Sequence, residues 1–301
     1  MGRTGIDRRG ALLVFGSAAV WSFGGAIARF ITTGDSWTIV FWRSAFAALF
    51  LIGFMLHREG WRGTRKMLAE MGLAGFGVGA CFATASTCFV AALAYTSVAN
   101  ILLMQAGAPL FAALMGFALF GERVGAATWI AIAAVICGIA IMVSESIGGQ
   151  ASAVGDALGL LMSIAFAVAT VLTRRHAQVR MMPAVFLGTL IAASVGAAMG
   201  GATRVSAADA GLLFVFGALN LGLGMALFVT GVRLLPAALA ALIGMAEPVL
   251  GPVWVWLVHG ELSSARTMIG GAVVILALLV HIGWQSRQQG PPTAATAQPG
   301  P

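Results

Sequence analysis

Residues 236–261 read PAALAALIGMAEPVLGPVWVWLVHGE. An acid, Glu247, stands in the middle of this apolar run, Pro248 follows it, and the run ends at Gly260-Glu261. A helix of about 20 apolar residues crosses the hydrocarbon core of a bilayer. The segment 139 residues upstream, 97–122, reads SVANILLMQAGAPLFAALMGFALFGE. Without a gap, Ala99 meets Ala238, Pro109 meets Pro248, Gly121 meets Gly260 and Glu122 meets Glu261. Further out, Phe89 meets Phe228. At the start of each half the offset is 145, where Ala19-Val20-Trp21 meets Ile164-Ala165-Phe166 and Arg29 meets Arg174. The chain therefore reads as two related halves, the second having lost six residues net between its first and third spans.

The rest of the chain has the same character. Of its 301 residues, 60% are hydrophobic and 9% charged, with a mean hydropathy of +0.97. Soluble domains carry roughly 25% charged residues. A soluble enzyme, a secreted disulfide scaffold and a disordered chain are excluded. Ten runs have spanning length: 10–32, 36–56, 72–94, 98–120, 125–143, 154–174, 182–201, 208–232, 236–258 and 265–284. The expected fold is an all-α membrane protein of ten helices in two five-helix repeats, 10–143 and 154–284. A disordered tail, 285–301, is expected after them. The first run follows Arg3, Arg8 and Arg9 like a signal peptide, but it exceeds a 7–15-residue apolar core and has a counterpart in the second half.

A net charge of +7 does not point to nucleic acid, because the basic residues lie between apolar runs. With the N-terminus in the cytoplasm, 13 of the 17 Lys and Arg fall on inside segments. Arg29, Arg204 and Arg266 fall outside, and Arg43 lies within a span. This bias places both termini in the cytoplasm and requires an even number of spans. Five spans per half then give the halves opposite orientations, a construction of secondary transporters. The connection 57–71 is expected to be a cytoplasmic loop, and residues 148–150 an external one.

No cofactor or metal is expected. Cys81, Cys88 and Cys137 lie in apolar runs, the four histidines are scattered, and no phosphate-binding glycine loop occurs. A membrane enzyme would need a nucleophile, base or metal set, and a channel a filter motif. Neither pattern is present in the sequence.

The Ala246-Glu247-Pro248 step, its echo Gly107-Ala108-Pro109, and the Phe120-Gly121-Glu122 and His259-Gly260-Glu261 ends resemble the EamA branch of the drug/metabolite transporter superfamily. The resemblance runs over about residues 10–284. It implies two EamA repeats and an inner-membrane exporter of amino acids or other metabolites, with the aromatic amino acid exporters among the types it resembles. Ala108 stands where the second repeat has Glu247, so a paired carboxylate is missing.

Glu247 is an acid at mid-span, a position that is costly and by default functional. It is a candidate cation or proton site, or it satisfies a backbone group freed by Pro248. Arg43 is expected to snorkel outward or to form a structural pair, with attraction of a carboxylate substrate as the lesser alternative. Asn100, Gln105 and Asn220 either read a polar substrate or join helices. Trp21, Phe82, Phe89, Tyr95 and Phe166 lie on spans that the resemblance places around a central cavity. A facing Trp21–Phe166 pair would make an apolar pocket. The expected substrate-binding set is Trp21, Phe82, Phe89, Asn100, Gln105, Phe166, Asn220 and Glu247. With few charges available, the expected substrate is a neutral, large or aromatic amino acid, exported by alternating access. The alternative is a multidrug or quaternary-cation exporter. The partners expected are a small-molecule substrate, the lipid bilayer and protons as coupling ion, with no nucleic acid, and the protein is expected to be a monomer.

Overall fold

A computed structural model describes residues 7–121, 125–147, 152–176, 181–200, 204–232, 234, 240 and 243–288. Among these residues there are helices and turns but no strand. Helices that cross lipid must satisfy their backbone internally, so their ends carry the side-chain caps. Asp7 caps α1 (Arg8–Ser22) through the Arg9 and Gly10 amides at 2.9 and 3.1 Å. Ser97 caps α5 (Val98–Gln105), Ser152 caps α8 (Ala153–Arg175) and Ser206 caps α10 (Ala207–Phe214). The two Gly-Glu ends behave alike. α6 (Ala108–Phe120) stops at Gly121, φ 63°, and α12 (Ala246–His259) stops at Gly260, φ 65°. Glycine holds this left-handed cap without steric cost. Glu122 lies outside the described residues.

Several expected spans are interrupted. The first breaks at Phe23 into α1 and α2 (Gly24–Phe30). The fourth breaks at Ala106–Gly107 into α5 and α6. The eighth runs as α10, a π-helical segment Val215–Leu223, and α11 (Gly224–Val232). Pro109 and Pro248 both stand in the first turn of their helices. An amide there has no intrahelical partner in any case, so neither proline frees a carbonyl of its own helix.

The connection 57–71 is also different from expectation. α3 (Ser36–Glu70) continues through it with a kink at Gly60, φ 66°. Beyond the kink Thr64 and Met67 are buried, while Trp61 is exposed and Lys66 pairs with Glu70 at 3.7 Å. The last helix, α13 (Ala265–Gln288), likewise extends four residues into the expected disordered tail. The remainder of that tail, 289–301, and the expected external loop 148–150 lie outside the described residues.

Among the described residues, eight helical stretches are long and apolar enough to cross a membrane: Arg8–Phe30, Ser36–Glu70, Gly72–Ala92 (α4), Val98–Ala118, Ala126–Ser144 in α7 (Ala126–Ile147), Ala153–Thr173, Ala207–Gly231 and Ala265–Trp284. The seventh expected span is a shorter apolar helix, Met182–Ala198, within α9 (Met181–Ala198). The ninth is described from Ala246 as α12, the 14-residue helix. Leu12, Leu73, Ile130 and Val280 are all strongly exposed. Apolar surface of this kind faces lipid rather than water.

The helix packing has an exchange symmetry. α4 packs on α8 as α1 packs on α11, and α4 packs on α9 as α3 packs on the π-helical segment. α5 and α6 pack on α8 as α12 packs on α1 and α2. The pairs α3–α9 and α7–α13 are their own counterparts. Small residues set the closest approaches. A Cβ on Gly79 would meet the Ala184 carbonyl at 2.7 Å, and one on Gly188 the Gly79 carbonyl at 2.6 Å. Gly217, Gly222 and Gly224 similarly admit Arg43 backbone, Phe50 and Trp21. These glycines serve close packing.

Candidate functional site

The interrupted helices meet around one cavity with an empty volume of about 650 Å³, its open mouth included. Seven of the eight expected site residues line it: Trp21, Phe82, Phe89, Gln105, Phe166, Asn220 and Glu247. They come from both halves of the chain. Arg43, Ser86, Met162, Gly188 and Thr189 complete much of the wall.

Asn100 is not in the wall. It is buried on the other side of α5, where its Nδ2 donates to Asp156 Oδ1 at 2.6 Å and Thr96 Oγ1 at 3.0 Å. It joins α5 to α8, away from the cavity where the other expected site residues gather. Tyr95 is half exposed and also lies off the wall.

Asn220 lines the cavity while its amide nitrogen is already used. Nδ2 donates to the Val20 and Trp21 carbonyls, where α1 ends ahead of the break. The π-helical segment that carries Asn220 thus supplies the donor that an interrupted helix lacks. π-helical segments are uncommon and recur at functional sites.

The aromatic side chains pair differently from expectation. Phe82 and Phe166 meet edge to face, with centroids 5.8 Å apart. Trp21 packs on Phe228 at 5.5 Å rather than on Phe166. Its indole Nε1 is buried and has no hydrogen-bond partner.

Of the readings open for Arg43, the outward one is not what the structure shows. It does not snorkel. It is 5% exposed, with Nη1 donating to Ser86 Oγ at 2.7 Å. Its guanidinium lies 4.3 Å from the Phe216 ring centroid and 5.5 Å from that of Phe89. Its Nε is buried without a partner. Glu247 stands in the first turn of α12, where the positive end of the helix favours a carboxylate. Arg43 and Glu247 line the same cavity, and the pair is not among the ion pairs within 4.0 Å of the described residues. The cavity therefore holds a guanidinium and a carboxyl group, not closed into an ion pair, between aromatic walls.

No group of His, Cys, Asp and Glu among the described residues could hold a metal ion. The profile of the EamA-like transporter family matches residues 8–144 and 153–283. The chain belongs to the EamA-like transporter family. No curated protein matches this EamA-like transporter. A solved crystal structure, described in its own record only as that of a protein, matches with a TM-score of 0.63. It is 18% identical and covers 94% of this transporter and 99% of its own chain. That likeness concerns the fold. The family match makes this chain a multi-pass membrane transporter of small molecules.

Proposed function

We propose that this EamA-like transporter exports neutral, large or aromatic amino acids, or related small metabolites, across the inner membrane. The observation that supports this reading is the composition of the cavity. Trp21, Phe82, Phe89 and Phe166 give it aromatic walls, and Arg43 and Glu247 give it one charge of each sign. Apolar walls with a few placed polar groups suit a ligand with a sizeable apolar side chain. Phosphorylated ligands call for several cationic donors.

The mechanism in this reading is alternating access between two inverted five-helix repeats. The exchange symmetry of the main contacts supports it, since swapping the halves maps the most extensive helix contacts onto one another. Rocking one half against the other would expose the shared cavity to each side in turn. The Lys and Arg bias supports cytoplasmic termini. Glu247 is the proposed proton carrier, and the transporter works as a monomer in this reading.

Glu247 also suits a quaternary-cation or multidrug exporter. Arg43 weighs against that alternative, because a bare cation entering the cavity meets a buried positive charge. The test is export from proteoliposomes with a panel of labelled amino acids and quaternary cations, with and without a pH gradient. Phenylalanine-like amino acids should be transported, and a pH gradient should change the rate. Transport of the cations alone would reject the reading. Labelling of a cysteine at Arg62 from the outside would reject the orientation.

A further inference from the structure

We infer that Arg43 and Glu247 read the two ends of one zwitterion, Arg43 its carboxylate and Glu247 its ammonium. This rests on the reading of the cavity as an amino-acid site and names the atoms that select the substrate.

The geometry begins with Arg43. A guanidinium deep within a membrane bundle is costly unless it is paired. Here its protein partners are one hydroxyl, Ser86 Oγ, and the faces of Phe216 and Phe89. These contacts hold the plane of the group in place. They leave Nε without an acceptor. A carboxylate matches the fork of a guanidinium better than any other small acceptor does.

Glu247 is held from a different direction. α12 carries it in its first turn, whereas Arg43 comes from α3 and its hydroxyl partner from α4. Among the described residues lining the cavity, Arg43 and Glu247 are the two with formal charge. They share this cavity, and they are not among the ion pairs of the described residues. A ligand between them can therefore complete both.

The choice of ligand follows from charge. A monocation satisfies Glu247 and meets Arg43 unpaired. A monoanion does the reverse. An uncharged ligand leaves both groups without a partner. A zwitterion gains at both ends, and its side chain has the edge-to-face pair Phe82–Phe166 in the same wall.

The experiment measures binding to the full chain in nanodiscs. The probes are phenylalanine, phenethylamine and 3-phenylpropionate, with alanine, ethylamine and propionate as the small series. Wild type should bind the zwitterion about tenfold or more tighter than either singly charged analogue. Arg43→Gln should move the preference toward the amine, and Glu247→Gln toward the carboxylate. Arg43→Lys should keep the zwitterion preference with weaker binding. The wild-type comparison needs no variant to fold.

A singly charged analogue that binds wild type as well as its zwitterion overturns the inference. So does an unchanged ranking in both Gln variants, even if phenylalanine is exported. Absence of binding by every zwitterion overturns it too. If alanine shows the preference and phenylalanine does not bind, the charge assignment stands and the preference for a large side chain falls.

Discussion

Arg29 and Glu261, 232 positions apart, form an ion pair with Nε and Oε2 at 2.9 Å. Arg29 also donates to the Leu93 carbonyl at 2.8 Å and the Thr96 carbonyl at 3.3 Å. Glu261 accepts from the Val98 amide at 3.2 Å. The pair thus ties the end of α2 to the turn between α4 and α5 and to the segment after α12. A partly exposed ion pair alone contributes little. The carbonyl contacts add charge-assisted hydrogen bonds. Arg29→Ala should therefore lower the thermal midpoint, with a cost of about 1–2 kcal/mol. It should also speed maleimide labelling of a cysteine placed at buried Ala26. Arg29→Lys should restore little, because one compact ammonium nitrogen cannot span the acceptors that Nε, Nη1 and Nη2 reach separately. Full rescue by Lys would mean that charge alone holds this end.

Asn100→Ala should damage stability and spare recognition. Its Nδ2 bond to Asp156 joins two helices and is buried. Losing it should cost about 1–3 kcal/mol, read as a lower thermal midpoint. KM for the transported substrate should stay within about twofold of wild type. A large rise in KM with an unchanged midpoint would return Asn100 to the substrate site.

What the sequence made legible was set by repetition and hydropathy. The Pro and Gly-Glu signals at an offset of 139 became matching helix starts and matching glycine caps. The breaks at Phe23 and at Ala106–Gly107 were hidden, because both lie in continuous apolar runs. The first is stabilised from afar by Asn220, 200 positions from Val20. Asn100 and Gln105 looked alike in the sequence. Five residues on an α-helix turn about 140° around the axis, so one faced Asp156 and the other the cavity. Arg43 stood out as a basic residue within a span, but nothing local told its readings apart. Its aromatic and hydroxyl neighbours come from α4 and the π-helical segment, and a stem long enough to snorkel looks the same in either setting.

Asp35 supplies a pH test outside the spans. Its carboxylate caps α3, accepting from Thr38 Oγ1 at 2.6 Å and from the Trp37 and Thr38 amides. The Thr38 hydroxyl bond, helped by the two amide bonds, holds its pKa below the ordinary carboxylate value. A lowered folded-state pKa makes the cap fully stabilising above the unfolded value, near 3.8. That stabilisation is lost as pH falls through the folded value. Asp35→Ala should lower the thermal midpoint near neutral pH, at a cost of about 0.5–2 kcal/mol. The gap from wild type should narrow as the pH drops below 4. A gap that is constant down to acid pH would show that the carboxylate charge is not what caps α3.

Ser86 positions Arg43, and its loss should appear in substrate affinity. Its hydroxyl accepts the one hydrogen bond that α4 offers the guanidinium, at 2.7 Å. Without it the cation keeps its aromatic brackets but loses the contact that fixes its rotation. A hydrogen bond to a charged group contributes about 1.5–3 kcal/mol. Ser86→Ala should therefore raise KM about tenfold while kcat changes little. Ser86→Thr keeps the hydroxyl and should restore most of the affinity. Thr84 serves as the control on the same helix. It is exposed, and its Oγ1 donates to the Ala80 carbonyl one turn away at 3.0 Å. Thr84→Ala should leave both constants unchanged. If Ser86→Ala lowers kcat and leaves KM alone, Ser86 acts on the moving step rather than on Arg43. If Thr and Ala at position 86 behave alike, the hydroxyl contact has no part in recognition.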